Sequence, residues 1–131
     1  MPELVTEEWS AEVAGLTAEL PPVPNASGTI SLTVSGPARK ETSLHWTYEN
    51  GAAGTGQPGP KSDADLVLTI AGPDAGEVIS GAVEPSVAFM RGRLKASGDG
   101  ALLIGFLEST TTPAYEAWRQ RVARLTELEA P

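Results

Sequence analysis

The chain has 131 residues, no cysteine, and seventeen acidic against nine basic side chains, a formal net charge of -8 at neutral pH. Such a length holds one hydrophobic core, and with 40% hydrophobic and 20% charged residues the composition is that of a globular domain rather than a disordered chain. The missing thiols exclude disulfide frameworks, thiolate zinc sites, iron–sulfur ligation and cysteine nucleophiles, and the acidic balance opposes general nucleic-acid binding.

In chain order, acids at Glu3, Glu7 and Glu8 stand where an export signal would carry bases, and no apolar run approaches the roughly 20 residues that cross a bilayer. A soluble, cytoplasmic protein is expected, and the richness in alanine, glycine, proline and arginine suggests a bacterial source. Thr6 is a candidate N-cap, and Trp9, Val13, Leu16 and Leu20 recur at helical spacing, which predicts a first helix over 6–20. Pro21, Pro22 and Pro24 then impose a stiff connector. Ile30, Leu32 and Val34 alternate with polar residues, as do Leu44, Trp46 and Tyr48, and the Gly36–Lys40 turn between them makes the pair an antiparallel hairpin. Glycines and prolines from Asn50 to Pro60 predict a long, mobile loop, after which Ala64, Leu66, Leu68 and Ile70 mark a third strand.

Asp74 and Glu77 have capping-box spacing ahead of a helix through Val78, Ile79, Ala82 and Val83, and Pro85 opens a short helix over Val87–Met90. Arg91–Ala96 reads as a strand on which Arg91, Arg93 and Lys95 share a face. Ala101–Leu107 fits either a helix or a buried strand, and Asp99 as a cap favours the helix. Thr112 and Pro113 form an N-cap and first-turn pair for a terminal helix over 113–128, with Tyr115, Trp118, Val122 and Leu125 in one stripe. The whole reads as one domain, residues 1–131, of the α+β class: a mainly antiparallel sheet with helices over one face and the other face toward water.

Chemistry-bearing residues are sparse. His45 is the one histidine and lies on the polar side of its strand, Asp63 and Asp65 read as solvated carboxylates, and the glycines of the 51–59 loop lack the lysine and serine of a phosphate cradle. No catalytic residue, metal site or cofactor is expected. Charge is uneven: residues 1–84 hold three bases and twelve acids, whereas 85–126 hold six bases and three acids. The same second half carries its apolar residues on short, glycine-separated segments, a layer suited to roofing an apolar cavity.

Asp63-Ala64-Asp65 leading into Leu66–Ile70, then Ile79-Ser80-Gly81, then Ala88-Phe89-Met90-Arg91-Gly92-Arg93-Leu94-Lys95, then Gly98-Asp99, form an ordered series that resembles the sterol carrier protein type-two domain. The match runs over about residues 63–107, with the first helix and hairpin in the expected order. The resemblance implies a sheet of about five strands, the fifth near 101–109 or inside the long loop, and an apolar tunnel for a fatty acid, fatty acyl-CoA, sterol or phospholipid. It implies binding and transfer without catalysis, with walls from Ile79, Val83, Phe89, Met90, Leu102, Leu103, Phe106 and Trp118, the last as a lid, and Arg91 and Arg93 as head-group candidates. The alternative is an accessory or catalytic subunit of lipid or steroid metabolism, which would need His45, Asp63 or Asp65 inside the hollow. The chain's end, Glu129-Ala130-Pro131, does not match the peroxisomal signal of animal carriers, and its first helix is acidic. Expected partners are a hydrophobic small molecule and, transiently, a membrane surface.

Overall fold

Residues 3–127 are described by a computed structural model. The first helix begins where its cap predicts: Thr6 Oγ1 accepts from Trp9 N, and α1 (Glu7–Ala14) buries Trp9 and Val13. It stops at Ala14 rather than near Leu20, because the Ala14 carbonyl turns outward to accept from Gly56 N at 2.9 Å. A 3-10 turn at Thr17–Glu19 follows, and Thr17 Oγ1 receives the same Gly56 N–H at 2.7 Å.

β1 (Gly28–Ser35) and β2 (Glu41–Glu49) form the expected antiparallel hairpin, with Ile30 opposite Trp46 and Leu32 opposite Leu44. The segment 50–60 departs from the expectation of a mobile loop. Two short strands, β3 (Ala52–Ala53) and β4 (Gln57–Pro58), both pair with β2, and the glycines allow close backbone approach: a Cβ on Gly56 would lie 2.5 Å from His45 O. This loop thus adds two short strands to the four read from alternation, and 101–109 adds none, being helical.

β5 (Leu66–Ala71) runs parallel to β1, and β6 (Leu94–Gly98) returns antiparallel to β5. The sheet order is β3-β2-β1-β5-β6, with β4 also on β2, so the sheet is mixed but mostly antiparallel. Between β5 and β6 lie α2 (Gly72–Ser80) and α3 (Pro85–Met90), and α4 (Gly100–Ser109) and α5 (Pro113–Leu125) follow β6. Asp99 caps α4 by accepting from Ala101 N and Leu102 N, and Thr112 caps α5 by accepting from Tyr115 N. The end of the terminal helix expected at 128 lies outside the described residues.

Three further expectations need correction. Asp74 is not a cap: α2 starts at Gly72 with extended Ala71 before it, and the Asp74 carboxylate instead accepts from Arg93 at 2.8 Å. The same helix ends at Ser80, where Gly81 takes φ +87 and leaves Ala82 and Val83 outside. Arg91 and Arg93 precede the strand: Arg91 closes α3 by donating to Val87 O at 3.0 Å, and Arg93 N reaches Ala88 O at 2.9 Å across Gly92. They do not share a strand face with Lys95.

The core follows from the strand period of two. One face carries Leu44, Trp46 and Tyr48 from β2, Ile30, Leu32 and Val34 from β1, and Leu66, Leu68 and Ile70 from β5, all buried except Leu32. The opposite face is hydroxyl-rich, with Thr29 bonded to Thr47 at 2.8 Å and Thr33 to Ser43 at 2.9 Å. The chain after β4 crosses part of it, where Lys61 N donates to Ser31 Oγ at 3.4 Å.

Candidate functional site

The helix-covered face of the sheet contains the chemistry of interest through what it lacks. Among the described residues the buried side chains with polar atoms are serines, threonines, tryptophans and tyrosines, and no Asp, Glu, Lys, Arg or His is buried. Leu32 stands at the centre of this face, opposite Leu44 on one side and Leu68 on the other. Those neighbours are 1% and 2% exposed, yet Leu32 is only half-buried. The helical cover is therefore incomplete over the middle of the sheet.

The expected wall residues divide into groups. Ile79 on α2 and Leu102 and Phe106 on α4 are buried, and the Phe106 ring meets that of Trp46 with centroids 5.9 Å apart. Val83, Phe89, Leu103 and Trp118 are half-buried and pack against the same core. Met90 points outward, 84% exposed, because it ends α3 on the face away from buried Ala88. Trp118, expected as a lid, is anchored: its Nε1 donates to Leu16 O at 2.9 Å and its ring lies 6.0 Å from that of Tyr115. Of the head-group candidates, Arg93 is engaged by Asp74, whereas Arg91 is exposed beside Met90.

Two clefts open elsewhere. One of ≈ 420 Å³ lies between α1 and α5, lined by Glu12, Leu16, Arg121, Arg124 and Leu125. The other, ≈ 490 Å³, runs along β2 beside the 52–57 segment. None of the expected wall residues lines either.

The residues an enzyme would need sit outside this interior. His45 is on the hydroxyl-rich face with Nδ1 at 2.9 Å from Gly59 O. Asp63 pairs loosely with Lys61 at 3.5 Å on the surface, and Asp65 accepts from Thr29 N at 2.7 Å, fastening β5 to the start of β1. Among the described residues no group of three His, Asp or Glu could hold a metal ion, and no helix is long and apolar enough to cross a membrane.

The sequence matches the model of the SCP-2 sterol transfer family over residues 16–106. The chain belongs to that family. It is 32% identical over 84 residues to hydroxysteroid dehydrogenase-like protein 2 of Xenopus tropicalis, of which the aligned part covers 19%, so the chain spans a minor part of that relative. Its fold superimposes on the crystal structure of sterol carrier protein 2 with TM-score 0.68 at 20% identity, covering 90% of this chain and 98% of the other. A conserved hypothetical protein from Thermus thermophilus, described as possibly a sterol carrier protein, gives TM-score 0.67 at 22% identity, covering 95% and 90%. Membership of the SCP-2 family supports lipid binding or transfer in general terms. Sequence reasoning did not single out Trp46 and Tyr48; alternation placed them on the apolar face, but whether their polar atoms find partners is decided by residues far away in the chain.

Proposed function

We propose that this protein binds one hydrophobic molecule, of the class of fatty acids, fatty acyl-CoA, sterols or phospholipids, beneath its helical layer and transfers it without chemical conversion. The observation that carries the reading is the uncharged interior of an SCP-2 family member, roofed by short helices that leave Leu32 half-buried. Burying a 16-carbon chain is worth on the order of 12 kcal/mol gross, at about 0.8 kcal/mol per methylene. Against an association cost of roughly 4–15 kcal/mol, this allows micromolar binding with ready release.

Entry requires part of the roof to move. Helix α3 has six residues and lies between Gly81 and Gly92, whose φ values of +87 and +73 mark turns at both ends. Gly98 and Gly105 are poorer hinges, since a Cβ on Gly105 would lie 2.6 Å from Val23 Cγ1 and Gly98 packs on the Asp65 backbone. Ile79, Val83, Phe89, Leu102, Leu103, Phe106 and Trp118 are the proposed walls. Exposed Met90 and Ile104, at 84% and 61%, would meet a membrane transiently while Arg91 meets a lipid head group. A cytoplasmic setting belongs to the same proposal.

The test is titration of delipidated protein with a fluorescent fatty acid. Saturable micromolar binding is expected; an unsaturable, linear response rejects the reading. The similarity to a dehydrogenase-like protein covering 19% of its length favours a second role for the same interior, presenting a hydrophobic intermediate to a partner enzyme. Conversion by His45, Asp63 or Asp65 is not supported, because none of them enters the interior.

A further inference from the structure

Trp46 and Tyr48 lie two apart on β2, on the face beneath the helices, and are 4% and 0% exposed. Among the described residues neither Trp46 Nε1 nor Tyr48 Oη has a hydrogen-bond partner. The other two indoles are satisfied, Trp9 by Thr126 Oγ1 at 2.8 Å and Trp118 by Leu16 O at 2.9 Å. Buried polar atoms in folded proteins are ordinarily paired, and two neighbouring exceptions on one face point to an occupant that pairs them. The Trp46 ring rests against Phe106 of α4, so the pair sits beside the proposed apolar wall.

We infer that Trp46 Nε1 and Tyr48 Oη form the polar end of the ligand site and select a lipid ending in one uncharged oxygen, such as a long-chain alcohol, over the matching carboxylate. This rests on the lipid-binding reading above and specifies its ligand chemistry. The indole offers a donor only, and the phenol offers a donor and an acceptor. Burial pushes the Tyr48 phenol up, with the nearby Trp46 indole opposing in part although the two are not aligned as a hydrogen bond. A hydroxyl oxygen can accept from the indole and either accept from or donate to the phenol. A carboxylate brought to the same place would be desolvated without a cation, because no lysine or arginine among the described residues is buried. Arg119, half-buried, is committed to Ile79 O at 2.7 Å and to Glu116.

The experiment titrates tetradecan-1-ol, tetradecanoate and tetradecane into delipidated protein at pH 8, by displacement of the neutral probe N-phenyl-1-naphthylamine. The alcohol should bind tightest in the parent chain. In Tyr48→Phe, which keeps the ring and removes one oxygen, the alcohol should lose about 3- to 10-fold. Tetradecane should be unchanged, and adding Trp46→Phe should bring alcohol and hydrocarbon together. The unliganded Tyr48→Phe protein should melt no lower than the parent, which separates loss of a ligand contact from loss of fold. Unchanged alcohol affinity in Tyr48→Phe, or tighter binding of tetradecanoate than of the alcohol by the parent, overturns the assignment and leaves the pair to a buried water. Failure of the probe and all three ligands to bind removes the lipid-binding reading itself.

Discussion

Removing one hydroxyl should loosen the closure of the two ends of the fold. Trp9 of α1 donates its indole N–H to Thr126 Oγ1 at 2.8 Å, and Thr126 Oγ1 donates to Val122 O at 2.6 Å. Trp9 and Thr126 are 3% and 2% exposed. Thr126→Val keeps the size and branching of the side chain but strands a buried N–H, at a cost of about 1–3 kcal/mol. In a domain of this size that corresponds to a fall in Tm of about 4–15 °C, read by calorimetry or far-ultraviolet circular dichroism. Because the two groups share one bond, Trp9→Phe and Thr126→Val should be non-additive, with a coupling of about 1 kcal/mol or more. A melting point within about 1 °C of the parent for Thr126→Val, or strictly additive losses, would refute the reasoning. The contrast with Trp46 is instructive: there the indole is unpaired, so removing its polar atom should not carry this cost.

Other substitutions test the scaffold. Asp99→Ala removes the acceptor of Ala101 N and Leu102 N at the start of α4 and should lower the unfolding free energy by about 0.5–2 kcal/mol in urea titrations. Gly98→Ala places a side chain at φ +125 against the Asp65 carbonyl and should cost about 3 kcal/mol or more. Gly100→Ala, where a Cβ meets nothing, should be neutral or slightly stabilising. Burial pushes the Tyr115 phenol up to about 12 from its ordinary 10, with Arg119 opposing and Glu116 adding. The stabilisation this reflects is complete below pH 10, the unfolded value, and is lost as pH rises through the folded value of about 12. The loss amounts to about 3 kcal/mol. Tyr115→Phe should reduce that alkaline loss without abolishing it, since Tyr48 is raised in the same direction; an unaltered stability profile above pH 10 would contradict it.

Local chemistry made much of this molecule legible in its residues. Thr6, Asp99 and Thr112 cap the helices their spacing predicted, because a cap depends on side chain and backbone within three residues. The hairpin was equally local: alternation sets the faces, and Gly36 to Lys40 reverses the chain. The ordered series from Asp63 to Asp99 was enough to suggest the family.

Longer-range competition decided the rest. A carbonyl that could have continued α1 is taken by Gly56. Asp74 is drawn from capping to Arg93, nineteen residues away, and the parallel pairing of β5 with β1 carries no signature in either strand. Outward placement of Met90, partial cover of Leu32, and the lone polar atoms of Trp46 and Tyr48 likewise emerge only on packing. Sequence alone determined which residues are apolar and which way each strand presents them. Tertiary structure decided which of their polar atoms go without a partner, because satisfying a buried donor depends on whatever distant segment happens to lie above it.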